Sequence, residues 1–178
     1  VSDDSDFILF LNSGDILCDN ILSDIFEEGL EEYNCNLYGN FLYGEEEKII
    51  PDNLNWFFLS RHTICHQAIF FNTRLHKNYK YNLNYKICAD YEVILRMYLN
   101  GIKFIKIPKP IVKYLPGGFS DKQRFNLFKE RLNIIIKYKK LMVPLYIAHF
   151  LFIDNFLKLP LRNKLIRKYF QKVKRCVT

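Results

Sequence analysis

A continuous apolar run near the start of the chain ends abruptly in a polar turn. Residues 7–11 (Phe-Ile-Leu-Phe-Leu) have the length of a strand and no polar side chain, which predicts a central strand buried on both faces of a sheet. Residues 12–15 (Asn-Ser-Gly-Asp) follow at once and have ordinary turn chemistry. We therefore expect any chemistry of this region to lie at the polar end of the strand.

Helix and strand patterns alternate along the first two thirds of the chain, which predicts a mixed α/β fold. The last predicted strand contains Pro108 and Pro110, and because proline cannot donate to a sheet ladder we predict an edge strand there. The predicted elements are a helix at 20–33, strands at 37–43, 48–50 and 65–71, a helix at 90–99 that stops at Asn100-Gly101, and a strand at 103–114.

Charge divides the chain into two pieces. Residues 1–120 hold 11 Lys/Arg and 16 Asp/Glu, whereas residues 121–178 hold 15 Lys/Arg and 3 Asp/Glu. A turn signal, Pro116-Gly117-Gly118, stands just before the change. We therefore predict a catalytic or binding domain at 1–120 and a basic extension at 121–178.

Composition narrows the class of protein. With 49% hydrophobic residues in 178, the chain can bury a core. Its five cysteines are odd in number, widely spaced and without a Cys-x-x-Cys pair, which argues against a disulfide framework and a structural zinc site. A reducing cytosol is the simplest location for such a chain.

The basic extension predicts helices. The first helix begins at Asp121. Its predicted apolar face consists of Phe125, Phe128, Leu132, Ile135 and Ile136. Residues 141–159 are apolar but interrupted by Pro144, His149, Asp154 and Lys158, which makes a poor transmembrane span.

The final segment has the pattern of an interfacial helix. Apolar residues such as Ile166 and Phe170 share one face, and basic residues such as Arg167 cover the rest. This pattern predicts attachment to an anionic membrane surface. Docking onto another protein domain is an alternative. Nucleic acid is disfavoured, because no recognised DNA- or RNA-binding motif accompanies the charge.

Four segments, taken in order, resemble the catalytic half of family 2 glycosyltransferases of the GT-A fold, the bacterial enzymes that build surface polysaccharides. They are residues 11–15 (Leu-Asn-Ser-Gly-Asp), 64–71 (Ile-Cys-His-Gln-Ala-Ile-Phe-Phe), 89–92 (Ala-Asp-Tyr-Glu) and 117–120 (Gly-Gly-Phe-Ser). The resemblance covers residues 1–120 and implies a partial GT-A-like mixed sheet with flanking helices. It also implies that a nucleotide-binding half precedes this chain in a longer protein, and that this chain alone has no nucleotide-sugar turnover.

The resemblance assigns a metal role to Asp15. Its carboxylate would hold a divalent cation, Mg²⁺ or Mn²⁺, that bridges the diphosphate of a nucleotide-sugar and neutralises charge on the leaving group. Asn12 would lie beside it in the donor site. A simple Asx-type turn is the alternative explanation for both residues.

The resemblance also assigns the catalytic base, which is Asp90. An acceptor hydroxyl must lose its proton as it attacks the anomeric carbon, so a carboxylate has to stand within hydrogen-bond reach. The alternative is that Asp90 only caps its helix, since Asp is favoured there. We expect the neighbouring Glu92 to be solvated or to contact the acceptor.

The remaining assignments concern the walls of the pocket. The resemblance places His66 and Gln67 near donor and acceptor, although a histidine in an apolar strand is as often part of the core. Gly118 and Ser120 match the family's closing loop, and a plain turn explains them nearly as well. The aromatic residues at 56–58 could stack on a sugar, but so dense a cluster is more often core.

Together these features predict a fragment of an inverting glycosyltransferase of bacterial surface polysaccharide synthesis. Its parent would move a sugar from a nucleotide donor to a saccharide or lipid-linked acceptor, in the cytoplasm at the inner face of the cell membrane. The competing interpretation is a non-catalytic, membrane-attached carbohydrate-binding or scaffolding fragment.

Overall fold

The computed structural model describes residues 6–27, 29, 34–114 and 123–150. Its strands are β1 (Phe7–Ile8), β2 (Ile16–Leu17), β3 (Asn36–Tyr43), β4 (Glu46–Lys48), β5 (Ile69–Asn72) and β6 (Phe104–Tyr114). Its α-helices are α1 (Ile21–Glu27), α2 (Trp56–Arg61), α3 (Thr73–Lys77), α4 (Ala89–Leu99), α5 (Arg124–Lys139) and α6 (Val143–His149). Short 3₁₀ turns lie at His66–Ala68 and Lys140–Met142.

The strands form one mixed sheet in the order β1-β5-β3-β6-β2, with β4 paired to the end of β3. The pair β3 and β6 is parallel, and the other pairs are antiparallel. Because successive side chains of a strand point to opposite faces, Leu37 and Tyr38 of β3 enter different cores. Helix α1 covers the Leu37 face and α4 covers the Tyr38 face. The predicted mixed sheet with flanking helices is therefore confirmed.

A third apolar cluster joins the helices outside the sheet. It combines Leu59 of α2, Tyr91 and Leu95 of α4, and Ile134 of α5, all of which are buried. Helix α5 thus packs on the outer side of α4 and begins in the stretch that the sequence assigned to a separate extension. The proposed division at residues 120 and 121 stays a prediction.

The prediction for residues 7–11 is wrong. Only Phe7 and Ile8 form a strand, and β1 lies at the end of the described sheet, where it pairs with β5 and is half-buried. The apolar side chains that follow do not extend a ladder; Leu9 and Phe10 instead pack against the clusters on the two faces of the sheet.

The strand containing the two prolines is not an edge strand. β6 lies between β3 and β2, and its register with β3 shifts near Gly39 and Asn40, so that Asn40 faces Pro110. At this irregularity the ladder is interrupted, and proline is tolerated without an exposed edge. Gly39 is required for the close approach, because a Cβ there would lie 2.7 Å from the carbonyl oxygen of Lys109.

Two other elements differ from expectation. Residues 65–71 do not form one strand, because a 3₁₀ turn occupies His66–Ala68 and β5 begins only at Ile69. On α5 the buried positions include Arg131, Ile134 and Ile135, whereas Phe125 is 64% exposed. The helix is rotated from the apolar face predicted by periodicity because its charged residues also contact α4 and the segment before it.

Candidate active site

Helix α4 places Asp90 in its first turn, close to the 3₁₀ turn that carries His66. The His66 Nδ1 and Asp90 Oδ2 atoms are 3.0 Å apart, and the other carboxylate oxygen, Oδ1, accepts the backbone N–H of Tyr91 at 2.7 Å. Both side chains stay partly open to solvent, His66 at 25% and Asp90 at 30%. The pair combines a proton acceptor with solvent access, which general base chemistry requires.

Asp90 is not the N-cap residue of α4. That position belongs to Cys88, whose side chain makes no capping hydrogen bond. Asp90 lies two residues further on, where its negative charge is still favourable at the positive end of the helix dipole. Asp90 thus divides its oxygens between two roles: Oδ1 accepts an N–H of the first helical turn, and Oδ2 is directed to His66.

The turn at residues 12–15 is tied to the same 3₁₀ turn. The backbone N–H of Asn12 donates to Gln67 Oε1 at 2.8 Å, and the Asp15 N–H donates to the Asn12 carbonyl at 3.2 Å. Gly14 has φ 93°, a conformation that favours glycine. Asp15 itself is half-buried.

Gln67 differs from its neighbour in being completely buried. Its carbonyl is occupied by Asn12, while its Nε2 is without a hydrogen-bond partner among the described residues. Gln67 therefore fixes the polar turn against the His66 turn, and its role in binding a donor or acceptor stays a prediction.

The pKa of Cys65 depends on both carboxylates. Burial, together with the negative charges of Asp90 and Asp15, raises the pKa of the Cys65 thiol to about 11. Both carboxylates therefore lie close enough to Cys65 to act on it. The thiol is protonated at neutral pH, which makes it a poor nucleophile.

An aromatic wall borders the site, and the sequence analysis missed it. The rings of Phe10, His76 and Tyr81 contact one another at centroid distances between 5.3 and 6.0 Å. Burial raises the pKa of Tyr81, and the negative charge of Asp90 raises it too, so this phenol lies within electrostatic range of Asp90. Burial lowers the pKa of His76, so the wall is uncharged at neutral pH. The loop that carries Tyr81 has no periodic signal that could have singled this residue out.

Glu92 lies on a different side of α4. It is buried, with one oxygen accepting from Arg96 Nη2 at 3.2 Å and the other from the Tyr138 hydroxyl of α5. The expectation that Glu92 is solvated is wrong, because Tyr138 and Arg96 enclose it. Its predicted contact with an acceptor is untested.

Metal binding at Asp15 has limited support from the protein itself. Within the described part of the chain no three side chains of His, Cys, Asp or Glu are grouped to hold a metal ion. A cation at Asp15 would therefore need water or substrate phosphates as further ligands, an arrangement typical of Mg²⁺.

An open groove of about 470 Å³ lies apart from these residues. Trp56, Tyr98 and Phe104 contribute to its lining, and none of the candidate site residues does. The Trp56 ring meets Tyr98 edge to face at 6.2 Å and packs against the cluster between α2, α4 and α5. Trp56 and Phe58 thus pack against the core, as the more ordinary interpretation of this aromatic cluster expects, whereas Phe57 is exposed.

Several predicted residues lie outside the described ranges: Gly118, Ser120, Ile166, Arg167 and Phe170. The closing loop and the membrane helix accordingly stay predictions. Among the helices of residues 6–27, 34–114 and 123–150, none combines the length and apolar character needed to cross a membrane.

Comparison with known proteins defines the class of fold. No protein-family model matches this sequence, and no curated protein matches it either. The chain is similar in structure to the glycosyltransferase TarS of S. aureus, in a crystal structure of its residues 1-349, with a TM-score of 0.54 and 14% sequence identity. The match covers 90% of this chain and 52% of TarS. This chain therefore has a glycosyltransferase-like fold and spans about half of the TarS structure.

Proposed function

We propose that this chain carries the acceptor-side catalytic part of an inverting glycosyltransferase. The observation that carries the proposal is the hydrogen-bonded pair of His66 and Asp90, 3.0 Å apart, at the head of α4. The glycosyltransferase-like fold supports it, and so do the negative charges of Asp15 and Asp90, both of which raise the pKa of Cys65.

In the proposed reaction Asp90 removes the proton from the acceptor hydroxyl as the oxygen attacks the anomeric carbon of the donor sugar. A new carbon–oxygen bond forms to the acceptor, the bond to the nucleotide's phosphate oxygen breaks, and the electron pair leaves with the nucleoside diphosphate. Attack opposite to the leaving group inverts the configuration. His66 holds the Asp90 carboxylate in one orientation by donating to Oδ2.

The substrates are proposed by class. The donor is a nucleotide-sugar, and the acceptor is a saccharide or lipid-linked saccharide of surface polysaccharide synthesis. The uncharged wall formed by Phe10, His76 and Tyr81 offers the apolar surface on which a sugar ring can stack beside Asp90.

Asp15 would supply one carboxylate oxygen to a divalent cation, Mg²⁺ or Mn²⁺, which when bound neutralises charge on the departing diphosphate. We expect Asp15→Ala and chelation by EDTA each to lower turnover of the complete gene product, and excess Mn²⁺ to restore only the chelated wild type. Turnover that is indifferent to both treatments would remove the metal role from Asp15.

The decisive experiment replaces Asp90 by Asn, which keeps the size and the ability to accept from Tyr91 N–H but removes the base. We expect turnover of a nucleotide-sugar panel to fall on the order of 100-fold or more. The matched control is Glu45→Gln, which makes the same kind of change, from carboxylate to carboxamide, at an exposed residue in the turn between β3 and β4. We expect it to leave turnover unchanged. The complete gene product and residues 1–178 are assayed in parallel.

Two results would count against the proposal. If the Asp90→Asn variant turns over at the wild-type rate, Asp90 is a structural residue. If the wild-type gene product releases no nucleoside diphosphate from any donor yet retains a saccharide affinity, the non-catalytic carbohydrate-binding interpretation is the better one.

A further inference from the structure

The segment that leads into α4 is held by a carboxylate from a distant helix. Glu130 of α5 accepts three consecutive backbone N–H groups: Lys86 on Oε1 at 3.0 Å, and Ile87 and Cys88 on Oε2 at 2.9 Å each. The Cys88 thiol adds a contact to the Leu127 carbonyl of α5 at 3.7 Å. One side chain thus fixes three residues of backbone.

This carboxylate restrains the backbone that leads into α4. The helix begins at Ala89, and Cys88 at the N-cap position makes no side-chain capping hydrogen bond. Of the three N–H groups that Glu130 binds, only that of Cys88 belongs to the helix terminus, and the other two precede it. The negative charge of Glu130 lies at the positive end of the helix dipole, where it is favourable. Charge-assisted hydrogen bonds of this type are stronger than neutral ones, so the position of the segment is tightly restrained.

The restraint bears directly on the proposed base. Asp90 is two residues beyond Cys88, whereas its partner His66 is on the turn before β5. The two side chains come from separate elements, so the 3.0 Å contact depends on where the first turn of α4 stands. Glu130 sets that position from the side of α5.

We propose that Glu130 is a positioning residue, whose carboxylate holds the head of α4 so that Asp90 meets His66 and the acceptor hydroxyl. The proposal rests on the proposed function in taking Asp90 as the base. It also makes α5 part of the catalytic unit, although the sequence assigned this helix to a separate extension.

The test compares variants of α5. Glu130→Gln keeps the shape but turns one acceptor into a donor that faces backbone N–H groups, and Glu130→Asp keeps the charge but withdraws it by one methylene. Ile134→Val, which trims a buried side chain of the same helix, is the control for lost stability. The melting temperatures of all variants are measured first, so that proteins of equal stability are compared.

Two readouts separate positioning from stability. Hydrogen exchange of the Lys86, Ile87 and Cys88 amides reports the contact itself, and the ring-nitrogen chemical shifts of His66 report its contact with Asp90. In Glu130→Gln we expect faster exchange at these amides and altered His66 shifts, with a smaller change in Glu130→Asp and none in Ile134→Val.

Turnover is the third readout. Because a misplaced base costs rate more than binding, we expect Glu130→Gln to lower kcat on the order of 10-fold, with KM for donor and acceptor within about twofold of wild type. Ile134→Val keeps the wild-type kcat.

The outcomes divide cleanly. Unchanged exchange and His66 shifts in Glu130→Gln, or an equal loss of kcat in Ile134→Val at matched stability, would overturn the positioning role. If the complete wild-type gene product has no turnover, the proposed function fails instead, and the exchange and His66 data still decide whether Glu130 sets the contact between Asp90 and His66.

Discussion

Helix α4 carries two carboxylates, two residues apart, in contrasting surroundings. The Asp90 side chain is 30% exposed and contacts an imidazole, whereas the Glu92 side chain is 2% exposed and lies between a guanidinium and a phenol. Two residues correspond to about 200° of rotation around a helix, so the carboxylates face nearly opposite directions. One faces the end of the sheet and the other faces α5.

The contrast separates two uses of the same chemical group. Each oxygen of the Glu92 carboxylate already accepts a hydrogen bond, one from Arg96 and one from Tyr138, and a change of charge at this buried group has to be accommodated within the helix interface. A carboxylate that contacts an imidazole and is otherwise open to solvent can exchange a proton with a substrate. From their spacing in the sequence alone, either Asp90 or Glu92 could have been assigned as the catalytic base.

The largest expected effect is on stability. Glu92→Ala leaves the Tyr138 hydroxyl and Arg96 without their shared partner inside the helix interface, and we expect the free energy of unfolding to fall by about 3 kcal/mol. Asp90→Ala removes a partly solvated group and should cost about 1 kcal/mol or less. Denaturant titration with a constant m-value measures both differences.

The contrast between Asp90 and Glu92 fails if Asp90→Ala and Glu92→Ala lower the free energy of unfolding equally. Such a result would mean that the contact between Asp90 and His66 is as structural as the buried pair, and the assignment of Asp90 to chemistry would lose its physical basis. A larger loss for Asp90→Ala would reverse the two roles altogether.

A smaller effect is expected at the other end of the buried contact. Tyr138→Phe removes the hydroxyl that donates to Glu92 and should cost about 1.5 kcal/mol near neutral pH. Burial, together with the hydrogen bond and charge of Glu92, raises the pKa of Tyr138 to about 12 from its ordinary value of 10.0. A raised pKa in the folded state means that the contribution is full below pH 10 and is lost as pH rises toward 12.

The difference in unfolding free energy between wild type and Tyr138→Phe is therefore expected to shrink between pH 10 and 12. Other tyrosines titrate in the same range, but they are common to both proteins and cancel in the difference. A difference that stays constant over this whole range would show that the phenol and Glu92 are not coupled in solution.

Local patterns predicted the elements that depend on local signals. Helix α4 was placed almost to the residue, because its apolar periodicity is regular and Asn100-Gly101 ends it, with Gly101 at φ 77°. The edge assignment of β6 failed for a nonlocal reason. Whether Pro108 and Pro110 interrupt a ladder depends on the register with β3, which Gly39 and the shift beside it determine.

The sequence indicated candidate residues for the site but not their geometry. His66 and Asp90 are 24 positions apart, and nothing in their spacing indicates a 3.0 Å contact. Glu92 and Tyr138 are 46 positions apart, so the burial of Glu92 could not be anticipated from α4 alone. The buried face of α5 was misjudged because hydrophobic periodicity takes no account of a buried Arg131 stacked on Tyr91.

The smallest expected effect is on the reactivity of Cys65, which tests the contrast between Asp90 and Glu92 at the candidate site itself. The charges of Asp90 and Asp15 contribute to the raised pKa of Cys65, and Glu92 is not among its causes. Removing a nearby negative charge stabilises the thiolate, so Asp90→Asn and Asp15→Asn should each lower this pKa and speed alkylation of Cys65 by about twofold at about pH 9. Mass spectrometry of the iodoacetamide-treated protein measures the rate at Cys65 alone.

Glu92→Gln is the matched control, since it neutralises a carboxylate on the same helix while keeping an acceptor for Tyr138. Its alkylation rate at Cys65 should equal that of wild type while the protein stays folded. An acceleration in Glu92→Gln but not in Asp90→Asn would place the wrong carboxylate beside the cysteine. Rates equal to that of wild type in all three variants would show that neither Asp15 nor Asp90 acts on Cys65, and the proposed proximity of the two carboxylates would lose its support.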